Sequence, residues 1–117
     1  MIIQETLQPI YYKITYTMIS LLSLVENKVA DTYHKSFTSA AEAAREFAEG
    51  RGFEINEDDW QSQVTFGGRY SRSRPAVGDT HTFTVGILKD GKPQRKALTF
   101  SVYGMPSGNY ELVVYIN

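Results

Sequence analysis

The chain has 117 residues, of which 42% are hydrophobic and 21% are charged, and these proportions exclude a wholly disordered protein. It contains no Cys, which excludes disulfides, thiolate metal sites and a cysteine nucleophile. Its net charge of −1 hides an asymmetry, because residues 1–66 carry five basic and ten acidic side chains whereas residues 67–117 carry seven and three. The length predicts a single domain over residues 1–117, and the charge separation favours charged partners or head-to-tail self-contact.

The N-terminal region predicts a strand and no membrane segment. Residues 14–25 are rich in apolar side chains, but Thr and Ser interrupt them and the run is shorter than a membrane span. The chain starts with MIIQETLQP, in which Glu5 is the only charged side chain, whereas a signal peptide starts with basic residues, so we expect a soluble, cytoplasmic protein. From residue 12 to residue 18 apolar and polar side chains alternate, which predicts a first strand that returns as a hairpin over residues 29–37.

Residues 36–53 have the start, interior and end of an α-helix. Ser39 and Glu42 stand at the spacing of a capping box, and Gly52 followed by Phe53 is typical of a helix end with a positive φ angle. Small apolar residues recur every three or four positions, with one larger anchor: Ala40, Ala43, Ala44, Phe47 and Ala48. The sequence therefore predicts one main helix that lies close to a sheet.

Two polar features accompany this helix. Arg45 and Glu49 are spaced as an ion pair on its solvent side. Beyond the helix, Asn56 precedes three acidic residues, which is the order expected where an Asn caps a short helical turn.

The second half of the chain predicts an antiparallel meander. Alternating side chains mark four strands, over residues 60–66, 80–88, 96–103 and 110–116. Asp90-Gly91 has the composition of a tight hairpin turn, and residues 105–109 supply the next turn. The predicted order β-β-α-β-β-β-β is an α+β fold, a single domain with a largely antiparallel sheet covered by one main α-helix.

Catalytic and metal-binding motifs are missing from the sequence. His34 and His81 are the only histidines, they are predicted at polar-facing strand positions, and neither has a helical i,i+4 partner. The sequence has no G-x-S-x-G elbow, P-loop or G-x-G-x-x-G. We therefore expect a non-enzymatic protein without metal or cofactor; the alternative is an enzyme of unrecognised class, which would need a polar-lined pocket between helix and sheet.

The loop over residues 67–79 is the strongest candidate for a binding site. Its thirteen residues exceed the length of about two to five that is usual for a hairpin loop, and a meander places it beside the turn at residues 105–109. Arg and Tyr dominate the resulting set of candidate binding residues: Arg69, Tyr70, Arg72, Arg74, Tyr103, Met105, Asn109 and Tyr110.

These residue types allow two kinds of partner. Arg and Tyr are enriched at the centres of protein interfaces, which favours a protein or nucleoprotein partner. The same residues grip single-stranded nucleic acid, so direct nucleic-acid binding is the alternative, and a mobile surface loop without a partner is a third interpretation. A second basic cluster lies at the opposite end of the predicted sheet and does not form one continuous track with the loop: Lys89, Lys92, Arg95 and Lys96.

The plan of the chain resembles that of a loose group of small proteins. A helix with the sequence SFTSAAEAAREFAEGRGF is followed by a tyrosine-rich meander that ends in YGMPSGNYELVVYIN. This layout is similar to small accessory proteins of phages and mobile elements, including anti-CRISPR inhibitors. The resemblance implies a stoichiometric inhibitor that occupies a surface on a host nucleoprotein complex, and it assigns no role to any residue. Exposed strand edges would also permit a homodimer.

Overall fold

The computed structural model describes residues 28–65, residue 70 and residues 73–117. Five strands lie within these residues: β1 (Lys28–His34), β2 (Glu54–Ile55), β3 (Thr80–Lys89), β4 (Lys92–Gly104) and β5 (Tyr110–Ile116). Helix α1 (Phe37–Glu49) follows β1, and a short helix α2 (Glu57–Trp60) continues into a π-helical turn (Gln61–Thr65). The strand predicted at residues 12–18 lies outside the described residues.

The five strands form one antiparallel sheet in the order β1-β5-β4-β3-β2. Strands β3, β4 and β5 form the predicted meander, and Asp90 and Gly91 join the first two of them with φ angles of 53° and 77°. Positive φ at both central residues is what a tight hairpin turn requires. On its other side β5 pairs with β1, so the first strand of the described chain forms one edge of the sheet.

The register brings the apolar side chains of neighbouring strands onto one face. Val85 lies opposite Leu98, and Phe100 lies opposite Phe83 on one side and Val114 on the other. Helix α1 packs on this face through residues that are almost all alanine, as predicted: Phe37, Ala40, Ala41, Ala44 and Ala48 are buried. Small side chains let the helix backbone lie near the sheet, so the larger side chains of the strands fill most of the space between helix and sheet.

The main helix begins one turn earlier than the sequence predicts. The capping box at Ser39 is wrong: Ser36 is the N-cap, and its hydroxyl accepts the backbone N–H of Ser39 at 3.1 Å. This shift makes Phe37 the first helical residue and the aromatic anchor, whereas Phe47 is only half-buried. Both serines can cap a helix, so local chemistry does not choose between them; burial of Phe37 in the core does.

The end of the helix is as predicted. Gly52 has a φ angle of 91° and its N–H donates to the carbonyl of Glu49, while the N–H of Phe53 donates to the carbonyl of Ala48 at 3.1 Å. These two bonds form a Schellman motif, which satisfies carbonyls that the last helical turn leaves free.

The predicted strand over residues 60–66 is wrong. Residues Glu57–Trp60 are helical because Asn56 caps them, its side chain accepting the N–H of Asp59 at 3.1 Å, and the helix then widens into the π-helical turn. Trp60 and Val64 are buried four positions apart, so these two residues fit a helical pattern as well as an alternating one. Trp60 stacks on Phe100 at 5.7 Å between ring centroids.

The fold class predicted from the sequence is confirmed. The structure is α+β, with a largely antiparallel sheet and one main helix on one face, although the short strand β2 takes the edge next to β3 in place of the predicted strand at residues 60–66. Within the described part of the chain, no helix is long and apolar enough to cross a bilayer.

Candidate functional site

The loop before β3 is fixed to the end of β4 by backbone hydrogen bonds. The N–H of Gly78 donates to the carbonyl of Gly104 at 2.7 Å, and the N–H of Gly104 donates to the carbonyl of Asp79 at 3.0 Å. Val77 forms a parallel β-bridge with Gly104. A Cβ atom on Gly104 would stand 2.5 Å from the carbonyl oxygen of Ala76, so glycine is needed for this close approach.

The turn between β4 and β5 lies beside this loop. Its ends are joined by the N–H of Met105, which donates to the carbonyl of Asn109 at 2.9 Å, and Gly108 takes a φ angle of 90° inside it. The sequence predicted that this turn and the loop occupy the same end of the sheet, and the structure places them together there. We call this region, residues 74–79 and 105–109, the loop end.

The loop end has a small, shallow depression that is open to solvent. The residues that line it come from both segments: Pro75, Val77, Gly104, Met105, Gly108, Asn109 and Tyr110. Val77 exposes 65% of its surface, and Arg74 beside it is also exposed. The lining is largely apolar or backbone, without an acid, a base or a histidine, so the depression is suited to contact with another molecule rather than to proton transfer.

Two of the predicted binding tyrosines have a structural role in the core. The rings of Tyr70 and Tyr110 pack on Phe37, with centroids at 5.9 and 6.3 Å. The hydroxyl of Tyr70 donates to the Glu42 carboxylate at 2.6 Å. Burial of the ring, reinforced by this bond to Glu42, raises the pKa of Tyr70 to about 12. Tyr70 therefore attaches the loop to α1, with its ring half-buried against Phe37.

The remaining predicted residues are divided among three places. Arg74, Met105 and Asn109 lie at the loop end. Tyr103 pairs with Glu111 and Thr80, which places it on the opposite face of the sheet from α1. Arg69 and Arg72 lie outside the described residues.

Both histidines are half-buried on the face of the sheet that α1 covers, so their predicted polar-facing position is wrong. Nδ1 of His81 lies 2.6 Å from the carbonyl oxygen of Ser73, whose hydroxyl donates to the carbonyl of Val64. His34 lies between the hydroxyls of Thr32, at 2.8 Å, and Ser39, at 3.0 Å, and burial lowers its pKa. Each histidine thus connects neighbouring elements, and no cluster of three or more metal-binding side chains occurs among the described residues.

A polar contact on the helical side was not predicted from the sequence. Both terminal nitrogens of Arg45 donate hydrogen bonds to the carboxylate oxygens of Glu57, at 2.9 and 2.6 Å. The guanidinium lies 4.9 Å from the centroid of the Trp60 ring. The predicted partner Glu49 is farther away, at 3.7 Å. The hydrogen bond from Arg45 lowers the pKa of Glu57. Arg45 thus joins α1 to α2 over the outer side of Trp60.

Comparisons of this chain with family models, with curated proteins and with solved structures find no match.

Proposed function

We propose that the protein is a non-enzymatic binding protein that acts through protein–protein contact at the loop end. The observation that carries this proposal is the exposure of Val77 on a backbone that hydrogen bonds of Gly78 and Gly104 hold against β4, in a β-bridge between Val77 and Gly104. An exposed apolar side chain on a fixed backbone loses little conformational entropy when it binds, which favours its use as an anchor.

The surroundings of Val77 suit a protein surface. Met105 is a flexible apolar side chain that adapts to irregular contacts, and Arg74 adds a planar cation at the margin of the depression. Apolar anchors with a polar rim are the usual composition of a protein interface. The resemblance of the sequence layout to small phage accessory proteins favours a nucleoprotein complex of a host defence system as the partner, and a stoichiometric inhibitor as the mode of action.

The test is capture of partners from a native lysate by the tagged chain, with and without nuclease. We expect Val77→Ser combined with Arg74→Ala to lower the recovery of captured proteins at least tenfold. Arg95→Ala is the matched control, because Arg95 is also exposed but lies near the opposite end of β4. Equal recovery by the loop-end variant and the wild-type chain would exclude the loop end as the contact surface.

The nuclease arm separates a protein contact from direct binding to nucleic acid. A nucleic-acid complex is lost after nuclease treatment and weakens steeply between low and physiological salt, because bound phosphates release counterions. We expect capture to persist in both conditions. Loss of all captured protein in the nuclease-treated sample would favour the nucleic-acid alternative.

A further inference from the structure

The face of the sheet opposite α1 presents side chains that are exposed or half-buried along its described length. Cross-strand partners in antiparallel strands share a face, and the register therefore sets one row of side chains across four strands: Tyr33, Glu111, Tyr103 and Thr80. Tyr33 exposes 64% of its surface, while Glu111 and Tyr103 are half-buried. Glu111 thus stands between two tyrosines on neighbouring strands, each about 4.8 Å away along the sheet.

The charges near this row are two acids and one base. A hydrogen bond with the Asp31 carboxyl, together with burial and the charge of Asp31, raises the pKa of Glu111. Lys28 acts in the opposite direction, but its ammonium is already paired with Asp31 at 3.2 Å. Lys28 is thus paired with Asp31 and not with Glu111, so the charge around Glu111 favours a cation.

We propose that Tyr33, Glu111 and Tyr103 form a seat for an arginine side chain of a protein partner. A guanidinium presents two parallel donors to a carboxylate and stacks on aromatic rings, and here Glu111 pairs across the sheet with a tyrosine on each neighbouring strand. This surface is separate from the loop end, and the proposal extends the proposed function by naming the chemistry of a second contact.

Other occupants fit this row less well. Nucleic acid would bring phosphates toward Asp31 and Glu111, and like charges repel. A divalent metal prefers more oxygen ligands than two carboxylates supply. Lysine would be attracted by the charge, but its compact, strongly hydrated ammonium cannot form a bidentate pair and stacks less well than guanidinium.

The experiment is an NMR titration of the full chain with N-acetyl-arginine methylamide, using the Glu111 carboxyl and the Tyr33 and Tyr103 ring signals as reporters. N-acetyl-citrulline methylamide is the neutral probe of the same shape. We expect saturable shifts with the arginine probe, about tenfold weaker apparent affinity for the citrulline probe, and a lower titration midpoint of Glu111 when the arginine probe is bound, because a cation favours the ionised carboxylate.

Variants separate the seat from general electrostatic attraction. Glu111→Gln keeps the shape of the side chain, and we expect it to weaken arginine binding up to about fivefold. Tyr33→Leu and Tyr103→Leu should each weaken it a few-fold through the lost ring faces. Glu46→Gln is the matched control, since it removes an exposed carboxylate from α1, on the other side of the sheet. Dispersed spectra of each variant show that it has folded.

Several outcomes would overturn the proposal. Equal affinity for the arginine and citrulline probes removes the charge requirement, and equal weakening by Glu46→Gln and Glu111→Gln removes the specific seat. Self-association at rising protein concentration that Tyr33→Leu abolishes would assign the face to a second copy of the chain. Protection of both tyrosine rings from a soluble relaxation agent in the free protein would show that the face is already covered.

Discussion

Replacing Gly104 by Ala tests the contact that holds the loop end in place. The new Cβ atom would stand 2.5 Å from the carbonyl oxygen and 3.0 Å from the carbonyl carbon of Ala76, and both atoms belong to backbone, so no side-chain rotation relieves the clash. The chain then has two responses. Either the loop keeps its position under strain, or it moves away and loses its hydrogen bonds to β4.

Both responses have similar costs. Overpacking a well-packed position costs about 1–3 kcal/mol. Releasing the bonds from Gly78 to Gly104 and from Gly104 to Asp79 costs about 1 kcal/mol for each. Ala restricts the unfolded chain more than Gly does, which offsets about 0.4–1 kcal/mol of either cost. We therefore expect a net destabilisation of about 1–2 kcal/mol, or a fall in Tm of about 4–8 °C for a chain of this length.

Urea unfolding followed by circular dichroism measures the free energy of unfolding, and amide hydrogen exchange at Gly78 reports on the loop. We expect faster exchange at Gly78 in Gly104→Ala. Gly86→Ala is the matched control, because its Cβ atom would stand 2.9 Å from the Asp59 carboxylate, which accepts the N–H of Gly86 at 2.8 Å. It disturbs a side-chain contact near the other end of β3, so we expect unchanged exchange at Gly78. A loss below about 0.5 kcal/mol with unchanged exchange at Gly78 would refute the described docking of the loop on β4.

Three further changes test the helical side of the molecule. A double-mutant cycle of Arg45→Ala and Glu57→Ala should show a coupling free energy of about 0.5–1 kcal/mol, because the Glu57 side chain is 60% exposed. Folding lowers the pKa of Glu57. The contribution of the pair to stability is therefore present above the unfolded pKa and is lost as the pH falls through the folded pKa. A cycle without coupling, or a coupling that stays unchanged when acid protonates Glu57 in the folded protein, would contradict this assignment. Tyr70→Phe should remove the tyrosine ring signal that titrates with a midpoint of about 12 and cost about 1 kcal/mol through the lost bond to Glu42, whereas a Tyr70 signal that titrates near 10 would contradict its burial. Phe37→Ala should cost about 3–5 kcal/mol in urea unfolding, and a loss below about 1 kcal/mol would show that Phe37 is not the aromatic anchor of the helix.

The sheet could be predicted from the sequence because its chemistry is local and periodic. In β3, β4 and β5 one face lies on the core and the other faces outward, so burial alternates with a period of two. This alternation can be recognised in the sequence of each strand without knowing which strands pair with it. Asp90-Gly91 and Gly52 are similar cases, since each marks a positive φ angle that few residues adopt. Such features depend on the residue itself and on its nearest neighbours in the chain.

The wrong predictions come from segments in which two local patterns coexist. Trp60 and Val64 satisfy an alternating and a helical pattern, and the structure becomes helical because Asn56 caps the turn before them. The capped turn was itself predicted from the sequence, but it was not extended across Trp60. Ser36 and Ser39 present a similar ambiguity, which the burial of Phe37 resolves.

The sequence predicted that the loop and the turn at residues 105–109 lie together, but not which of their side chains are exposed. Arg and Tyr in an overlong loop indicated a contact surface. The ring of Tyr70, however, packs on Phe37, and its hydroxyl donates to Glu42, which lies 28 residues earlier in the chain. No local pattern reveals a partner at such a distance in the chain. Val77 was missed for the opposite reason: a single valine in a loop has no pattern, and only its exposure on a fixed backbone distinguishes it.

The two proposed contact surfaces meet at the end of β4. Gly104 faces the side of α1 and lies under the loop that carries Val77, whereas Tyr103, one residue earlier, faces the opposite side. Because successive residues of a strand point to opposite faces, a change at one position need not disturb the other. Gly104→Ala should therefore weaken contacts at the loop end while arginine binding between Tyr33 and Tyr103 persists. Loss of both together would mean that the end of β4 responds as one unit, and that the two surfaces cannot be assigned to separate partners.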